Sequence, residues 1–276
     1  MDLGEKDGGL PPDHVVENRD AILASTEAIA ARHHDGEMVH VVVAPCSPFS
    51  VTAGLMIDSA ELARRHGLRL HTHLCETLEE QDHCLERFGK RPVEMLDDWG
   101  WVGSDVWLAH GIHIDDSEMI RLGSAGTGIA HCPSSNARIA AGMCRVTDLR
   151  SAGCPVGLGV DGVASNEVGG LFPELRQALY TARLREMRPD ALMPLDTIEM
   201  ATRGGARCLG VDDIGQLEVG CRADLAVWPA SDIADIADPL AGLVLGPDRR
   251  VRHLFVNGSP VVTEGAPTGV DLALAH

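Results

Sequence analysis

Aromatic residues are scarce in this sequence: Phe, Trp and Tyr make up 3% of it, with a single tyrosine. That leaves few ring faces for the stacking platforms that grip single-stranded nucleic acid. Positive charge is short as well, with 23 Lys and Arg against 41 Asp and Glu and a net charge of −18. Such a surface disfavours nucleic acid or an anionic membrane as partner and suits a small uncharged or cationic ligand. No apolar run approaches the roughly 18 residues that a membrane span needs. The N-terminus, polar and rich in Gly and Pro, lacks the basic-then-apolar pattern of a targeting segment. None of the eight cysteines, at 46, 75, 84, 132, 144, 154, 208 and 221, forms a Cys-x-x-Cys pair. Scattered in this way, they read as reduced, mostly buried thiols of a cytoplasmic protein.

What the sequence does contain is alternation. Helical spacing is expected at 20–32, 56–66, 77–88, 92–99, 115–124, 147–152, 171–185 and 196–209, and strands at 39–45, 68–74, 106–111, 128–133 and 155–161. Five strands alternating with helices imply parallel β/α units. After 213 the texture changes to short strands and turns, with Asn257-Gly258 as a hairpin signal. The expected division is an α/β part at 1–212 and a small β segment at 213–276.

Polar residues gather where those strands end: His73, His110, His131 and Asp161. In Leu70-His-Thr-His-Leu-Cys-Glu76, His71 and His73 share one strand face and Glu76 falls where the strand gives way to a loop. That pairing suits one ligand histidine with a proton-carrying carboxylate beside it. The competing reading is a strand end with two hydrogen-bonded histidines and a solvated glutamate. Four coordinating side chains at the C-terminal ends of parallel strands, where (β/α) barrels carry their chemistry, weigh toward a site. His71 lies deeper and reads as a core hydrogen-bonder, and His113 and His131 as residues behind the site at most. His14, His33, His34, His40, His66, His83, His253 and His276 read as surface or packing residues.

Five motifs in order carry a resemblance: His73-Leu-Cys-Glu76, Leu108-Ala-His110-Gly-Ile-His113, His131-Cys-Pro-Ser-Ser-Asn136, Gly157-Leu-Gly-Val-Asp161-Gly-Val-Ala-Ser-Asn166, and Ile214-Gly-Gln-Leu-Glu-Val-Gly-Cys-Arg-Ala-Asp224. With them the chain resembles the C-terminal portion of an amidohydrolase-superfamily deaminase. Gly9-Leu-Pro-Pro-Asp13 and Ala44-Pro-Cys-Ser-Pro-Phe-Ser-Val51 add a likeness to the 8-oxoguanine deaminases. Hydroxytriazine hydrolases, guanine deaminases and adenosine-type deaminases share much of the pattern.

The resemblance implies an α/β fold: a partial (β/α)8 TIM-type barrel, about its last five β/α units, then part of a small β-sandwich-like domain. It implies one divalent metal, zinc before iron, with His73 and Asp161 as ligands. Glu76, His110 and Asp161 are then catalytic, Glu76 carrying protons, His110 contacting the substrate or the attacking water, and Asp161 passing a proton to the leaving ammonia. Cys46, His110, Ser135 and Asn136 are the expected substrate contacts. Cys46 stands where adenosine-type relatives are expected to carry a histidine, which argues against a ribose-bearing substrate. The partners implied are a small heterocycle and water, with a homo-oligomer for the full-length protein.

One signature of the family is not found: a His-x-His pair closing the first barrel strand. The only His-x-His is His71-x-His73, and nothing before Val39 reads as a strand. The expectation is therefore that the chain begins inside a longer protein, with three barrel strands and two metal ligands outside it. A chain holding a metal by His73 and Asp161 alone would bind it weakly and show little deaminase activity.

Overall fold

The protein is described here by a computed structural model covering residues 1–233 and 236–269; His276 and the other residues beyond 269 of the expected 213–276 segment lie outside the described residues. After two short 3-10 turns come α1 (Arg19–His33), β1 (Val42–Val43), α2 (Ala53–Arg65), β2 (Arg69–Leu74), α3 (Leu78–Phe88), α4 (Pro92–Asp98), β3 (Val106–His110), α5 (Asp116–Ala125) and β4 (Gly128–His131). Then follow α6 (Pro133–Arg138), α7 (Val146–Ser151), β5 (Val156–Leu158), α8 (Leu171–Glu186), α9 (Pro194–Glu199) and α10 (Gly205–Leu209). The chain closes with β6 (Leu225–Val227), α11 (Pro239–Leu245), β7 (His253–Val256), β8 (Ser259–Thr263) and β9 (Ala266–Pro267).

Local chemistry sets the helix starts. Asn18, Thr52, Thr77 and Asp115 accept backbone N–H bonds at the N-termini of α1, α2, α3 and α5, and Pro92 and Pro133 open α4 and α6, where a missing N–H costs nothing. Gly89 and Gly126, both left-handed, end α3 and α5.

Strands β1 to β5 form one parallel sheet in sequence order, the β/α arrangement expected of part of a TIM-type barrel. Alternation along β2 is clean: Leu70, Thr72 and Leu74 are buried, while Arg69, His71 and His73 are half-buried on the other face. Each fully buried leucine contributes about 1.5–3 kcal/mol. In parallel register Trp107 lies beside His71 and Ala109 beside His73. The core cluster joins Leu70, Leu74, Leu108 and Ile129 to Leu55, Leu96, Leu122 and Leu149 of the flanking helices. Among the described residues no helix is long and apolar enough to cross a membrane.

Several expectations need correction. The 39–45 strand shrinks to Val42–Val43, because the Asp35 carboxylate takes the N–H groups of Glu37, Met38 and Val39, and His34 takes that of Val41. The single 196–209 helix starts at Pro194 and passes through a π turn at Met200–Gly204. Pro133, the expected end of the fourth strand, instead opens helix α6 at Pro133–Arg138. The β segment contains α11, whose Val244 packs with Leu175 and Leu179 of α8. Its strands form a single antiparallel sheet in the order β6-β7-β8-β9 among the described residues. Asn257 and Gly258, both at positive φ, turn β7 into β8 as the hairpin signal predicts.

Candidate active site

The ends of β2 and β3 and the segment after β5 converge. His73, His110 and Asp161 each offer one donor atom, and the three atoms lie within 4.8 Å of one another. His73 closes the half-buried face of β2. The chain then leaves regular strand geometry abruptly: Cys75, His110 and Asp161 all have positive φ, at 53°, 72° and 68°. Left-handed backbone at a non-glycine residue costs of order 1–3 kcal/mol and clusters at functional sites, because it re-aims a side chain that strand alternation would send elsewhere. Gly111 follows His110 in the same region, and a Cβ there would press within 3.1 Å of Ile114 and 3.3 Å of Ile129, so the turn needs glycine.

Hydrogen bonds fix the two imidazoles. Nδ1 of His73 donates to the Cys46 carbonyl at 2.6 Å, which leaves Nε2 as the free nitrogen. Nδ1 of His110 lies 3.0 Å from Oδ1 of Asn136, so donation there frees Nε2, which faces Glu76 Oε1 at 3.5 Å and Asp161 Oδ2 at 3.9 Å. The His73 and His110 rings stack at 5.5 Å. Asp161 is held from three directions: Ser135 donates to Oδ2 at 2.5 Å, Ser165 to the same oxygen at 3.1 Å, and the Gly162 N–H to Oδ1 at 2.7 Å.

These environments move protons. Burial, the largest influence on Asp161, pushes its carboxyl up, but the bonds from Ser135 and Gly162 and the nearby His110 outweigh it and hold the group below the usual range. His73 is pulled up to about 9, first by its hydrogen bond with the Cys46 side chain, and the same bond lowers the Cys46 thiol. Burial pushes His71 down to about 4. Its Nδ1 meets the Trp107 carbonyl at 3.1 Å and its ring stacks on the Trp107 ring, so His71 is the core hydrogen-bonder expected of it.

Two imidazoles and a carboxylate form an N/O donor set of the kind zinc and iron take. The outer nitrogens of both rings are tied to oxygen acceptors, the arrangement that orients metal-bound histidines. The residues present therefore fit a divalent metal held by His73 and Asp161, with His110 in reach of the same point.

Of the other expected site residues, Cys46 is exposed and adjoins His73, whereas Ser135 and Asn136 are 0% and 1% exposed. Their observed partners are Asp161 and His110. His113 meets the Ala141 carbonyl at 3.0 Å. His131 is fully buried and pushed down to about 4 by that burial. Among the described residues neither of its nitrogens, nor Nδ2 of Asn136, has a hydrogen-bond partner, and both residues line a cavity of about 200 Å³ with Pro133, Cys144 and Thr181.

Three buried glutamates escaped the sequence reading as site elements. Glu80 accepts from the N–H groups of Cys75 and Glu76; Glu118 caps Asp115 and pairs with Arg91; Glu174 accepts from Ser134 N and the Asn166 amide. Glu118 carried a capping-box signal, and Thr77-x-x-Glu80 carried the same one. Glu174 reaches Ser134 across 40 residues, which no local pattern announces.

Residues 9–261 match the model of the amidohydrolase family. The 8-oxoguanine deaminase of Pseudomonas aeruginosa is 51% identical over 99% of this chain and 62% of its own length, and an isoxanthopterin deaminase from an unknown prokaryotic organism is 38% identical over 95% of the chain and 59% of its own. Among solved structures, zinc-complexed atrazine chlorohydrolase from Arthrobacter aurescens TC1 superposes with a TM-score of 0.95 at 33% identity, covering 99% of this chain and 62% of that one. The chain thus spans about three-fifths of the length of these relatives. It belongs to the amidohydrolase family.

Proposed function

We propose that the chain is part of a metal-dependent hydrolytic deaminase of amino-substituted heterocycles, cytoplasmic and homo-oligomeric when complete, with 8-oxoguanine as substrate. The observation that carries the reading is the convergence of His73, His110 and Asp161 with Glu76 alongside, at strand ends. The identity to the Pseudomonas aeruginosa deaminase supports the choice of ring. The reaction exchanges a ring amino group for oxygen: water adds to the amino-bearing carbon, ammonia leaves, and 8-oxoguanine becomes urate.

A divalent ion held by His73 and Asp161, zinc before iron, would supply a water acidic enough to attack near neutral pH. Glu76 Oε1 takes a proton from the attacking water and returns it to a ring nitrogen, which weakens the ring's aromaticity where attack occurs. Asp161 passes the next proton to the leaving amine. His110, whose Nε2 faces Glu76 Oε1 and Asp161 Oδ2, contacts the substrate or the attacking water and steadies charge at the attacked carbon. Cys46, exposed beside His73, touches the heterocycle, while Ser135 and Asn136 act from behind, through Asp161 and His110. The four-stranded sheet belongs to a sandwich-like domain of the complete protein.

This chain brings one imidazole, His73, and one carboxylate, Asp161, to the ion, so we further propose weak metal binding and low turnover by it alone. A hydroxytriazine or guanine aminohydrolase is the second enzyme reading, favoured by the 40% identity to the hydroxydechloroatrazine ethylaminohydrolase of Pseudomonas sp. strain ADP. A non-catalytic remnant, acting at most in binding or assembly, is the reading of a different class, favoured by the small donor set. The test is ammonia release from 8-oxoguanine, guanine, isocytosine and hydroxytriazines, by the zinc-loaded chain alone and extended with a segment ending in a His-x-His strand. The expected result is release from 8-oxoguanine at least about tenfold above the others, only in the extended form and lost in Glu76→Gln. A preference for hydroxytriazines would transfer the reading to the second enzyme, and silence on every substrate would leave the remnant.

A further inference from the structure

The helix after Glu76 opens with a carboxylate turned away from water. Glu80, on the first turn of α3, is 2% exposed, and no Lys or Arg pairs with it among the described residues. Both of its oxygens go to backbone: Oε1 accepts from Cys75 N at 2.9 Å and Oε2 from Glu76 N at 3.0 Å. A capping-box glutamate ordinarily turns back to the N–H of its own cap, here Thr77. Glu80 reaches past the cap to the two residues before it.

Those two residues form the turn that redirects the chain. Cys75 is left-handed, and its carbonyl accepts from Ile112 N at 2.9 Å and His113 N at 3.0 Å, in the loop that follows His110. The Cys75–Glu76 peptide is thus gripped at its oxygen by the His110 loop and at its N–H by Glu80. Glu76 leaves this grip with Oε1 3.5 Å from His110 Nε2. Fold stability alone gives little reason to keep such a group, because a buried carboxylate without a counter-charge carries a desolvation penalty that an apolar side chain avoids. The same burial pushes the Glu80 carboxyl up to about 7, against the pull of the two N–H bonds.

We propose that Glu80 is a positioning residue: by bridging the N–H groups of Cys75 and Glu76 it sets the left-handed turn that aims Glu76 at His110. Its consequence for catalysis rests on Glu76 being the proton carrier; the geometry does not.

Amide exchange and proton NOEs on the 276-residue chain test it without reference to turnover. In Glu80→Ala, the Cys75 and Glu76 amides should exchange at least about tenfold faster while the Leu70 to Leu74 amides hold, and the NOE from the Glu76 side chain to the His110 ring should vanish. Glu80→Gln keeps the volume but only one acceptor, so one of the two amides should lose protection and the NOE should weaken. If Glu80→Ala does not fold, Glu80→Gln decides alone. Unchanged amides, a surviving NOE, or protection lost along all of β2 in Glu80→Gln would each overturn the proposal, the last by showing general support of the fold. Glu76→Gln separates the two readings: it should leave the exchange pattern intact, and if it also leaves ammonia release by the extended chain intact, the proton-carrier reading fails while the result at Glu80 stands.

Discussion

The two ends of the parallel sheet are built by opposite rules. At the N-terminal end the requirement is smallness: a Cβ on Gly128 would sit 2.9 Å from Cys208 Sγ, one on Gly157 3.0 Å from Gly205 Cα, and one on Gly204 would overlap the Val156 carbonyl. Helix α10 closes on the strands there because nothing intervenes. At the C-terminal end the side chains are polar, three backbones are left-handed, and buried glutamates brace the loops. One end gains stability from close packing, while the other holds strained backbone in place with hydrogen bonds. Substitutions should therefore separate stability from ligand binding according to the end they touch.

The largest effect is expected at the packed end. Gly204→Val should lower the unfolding free energy by roughly 3 kcal/mol in urea titration, with zinc stoichiometry unchanged in the folded fraction. Equal loss of both would erase the distinction. Next comes the buried histidine beneath the polar end. His131 has a folded pKa of about 4, below the ordinary value of 6.5. The unfolded chain therefore takes up its proton first as pH falls, and stability is full above 6.5 and drains away between 6.5 and 4. This contribution is up to about 3 kcal/mol, so His131→Leu should flatten the acid limb of a stability profile, and an unaltered limb would remove His131 from the account.

Asp161→Asn follows. Asparagine tolerates left-handed backbone, so the unfolding midpoint should hold while zinc affinity falls about 100-fold, roughly 2.7 kcal/mol, by calorimetric titration. A drop in midpoint without a drop in affinity would reverse the assignment. Cys46→Ser should be smallest, with zinc affinity within about threefold of the parent, since the proposal puts the thiol at the substrate and not at the ion.

Much of the polar end was legible because strand periodicity is short-range. Once β2 is recognised, His73 and Glu76 follow, and the matching positions of His110 and Asp161 come from repeating the β/α unit. The left-handed backbone at Cys75, His110 and Asp161 carries no glycine to mark it and was invisible. The hydroxyl and amide contacts of Ser135 and Asn136 with Asp161 and His110 are set by α6, which no periodicity announces because Pro133 resembles a strand end. Strand 39–45 is shorter than its valines suggest because such a run signals extended chain without saying what Asp35 and His34 will do to its N–H groups. Helix α11 is hidden in the β segment since its contacts with α8 and α9, distant in sequence, are what make it worthwhile.

The central proposal, that His73 and Asp161 hold a metal beside His110 while the neighbouring thiol stays out, can be read in one spectrum. Zinc K-edge X-ray absorption on the loaded chain should show a shell of nitrogen and oxygen alone at about 2.0–2.2 Å, with the multiple-scattering signature of an imidazole that is lost in His73→Ala. A sulfur scatterer at about 2.3 Å, or a spectrum indifferent to the loss of His73, would contradict it.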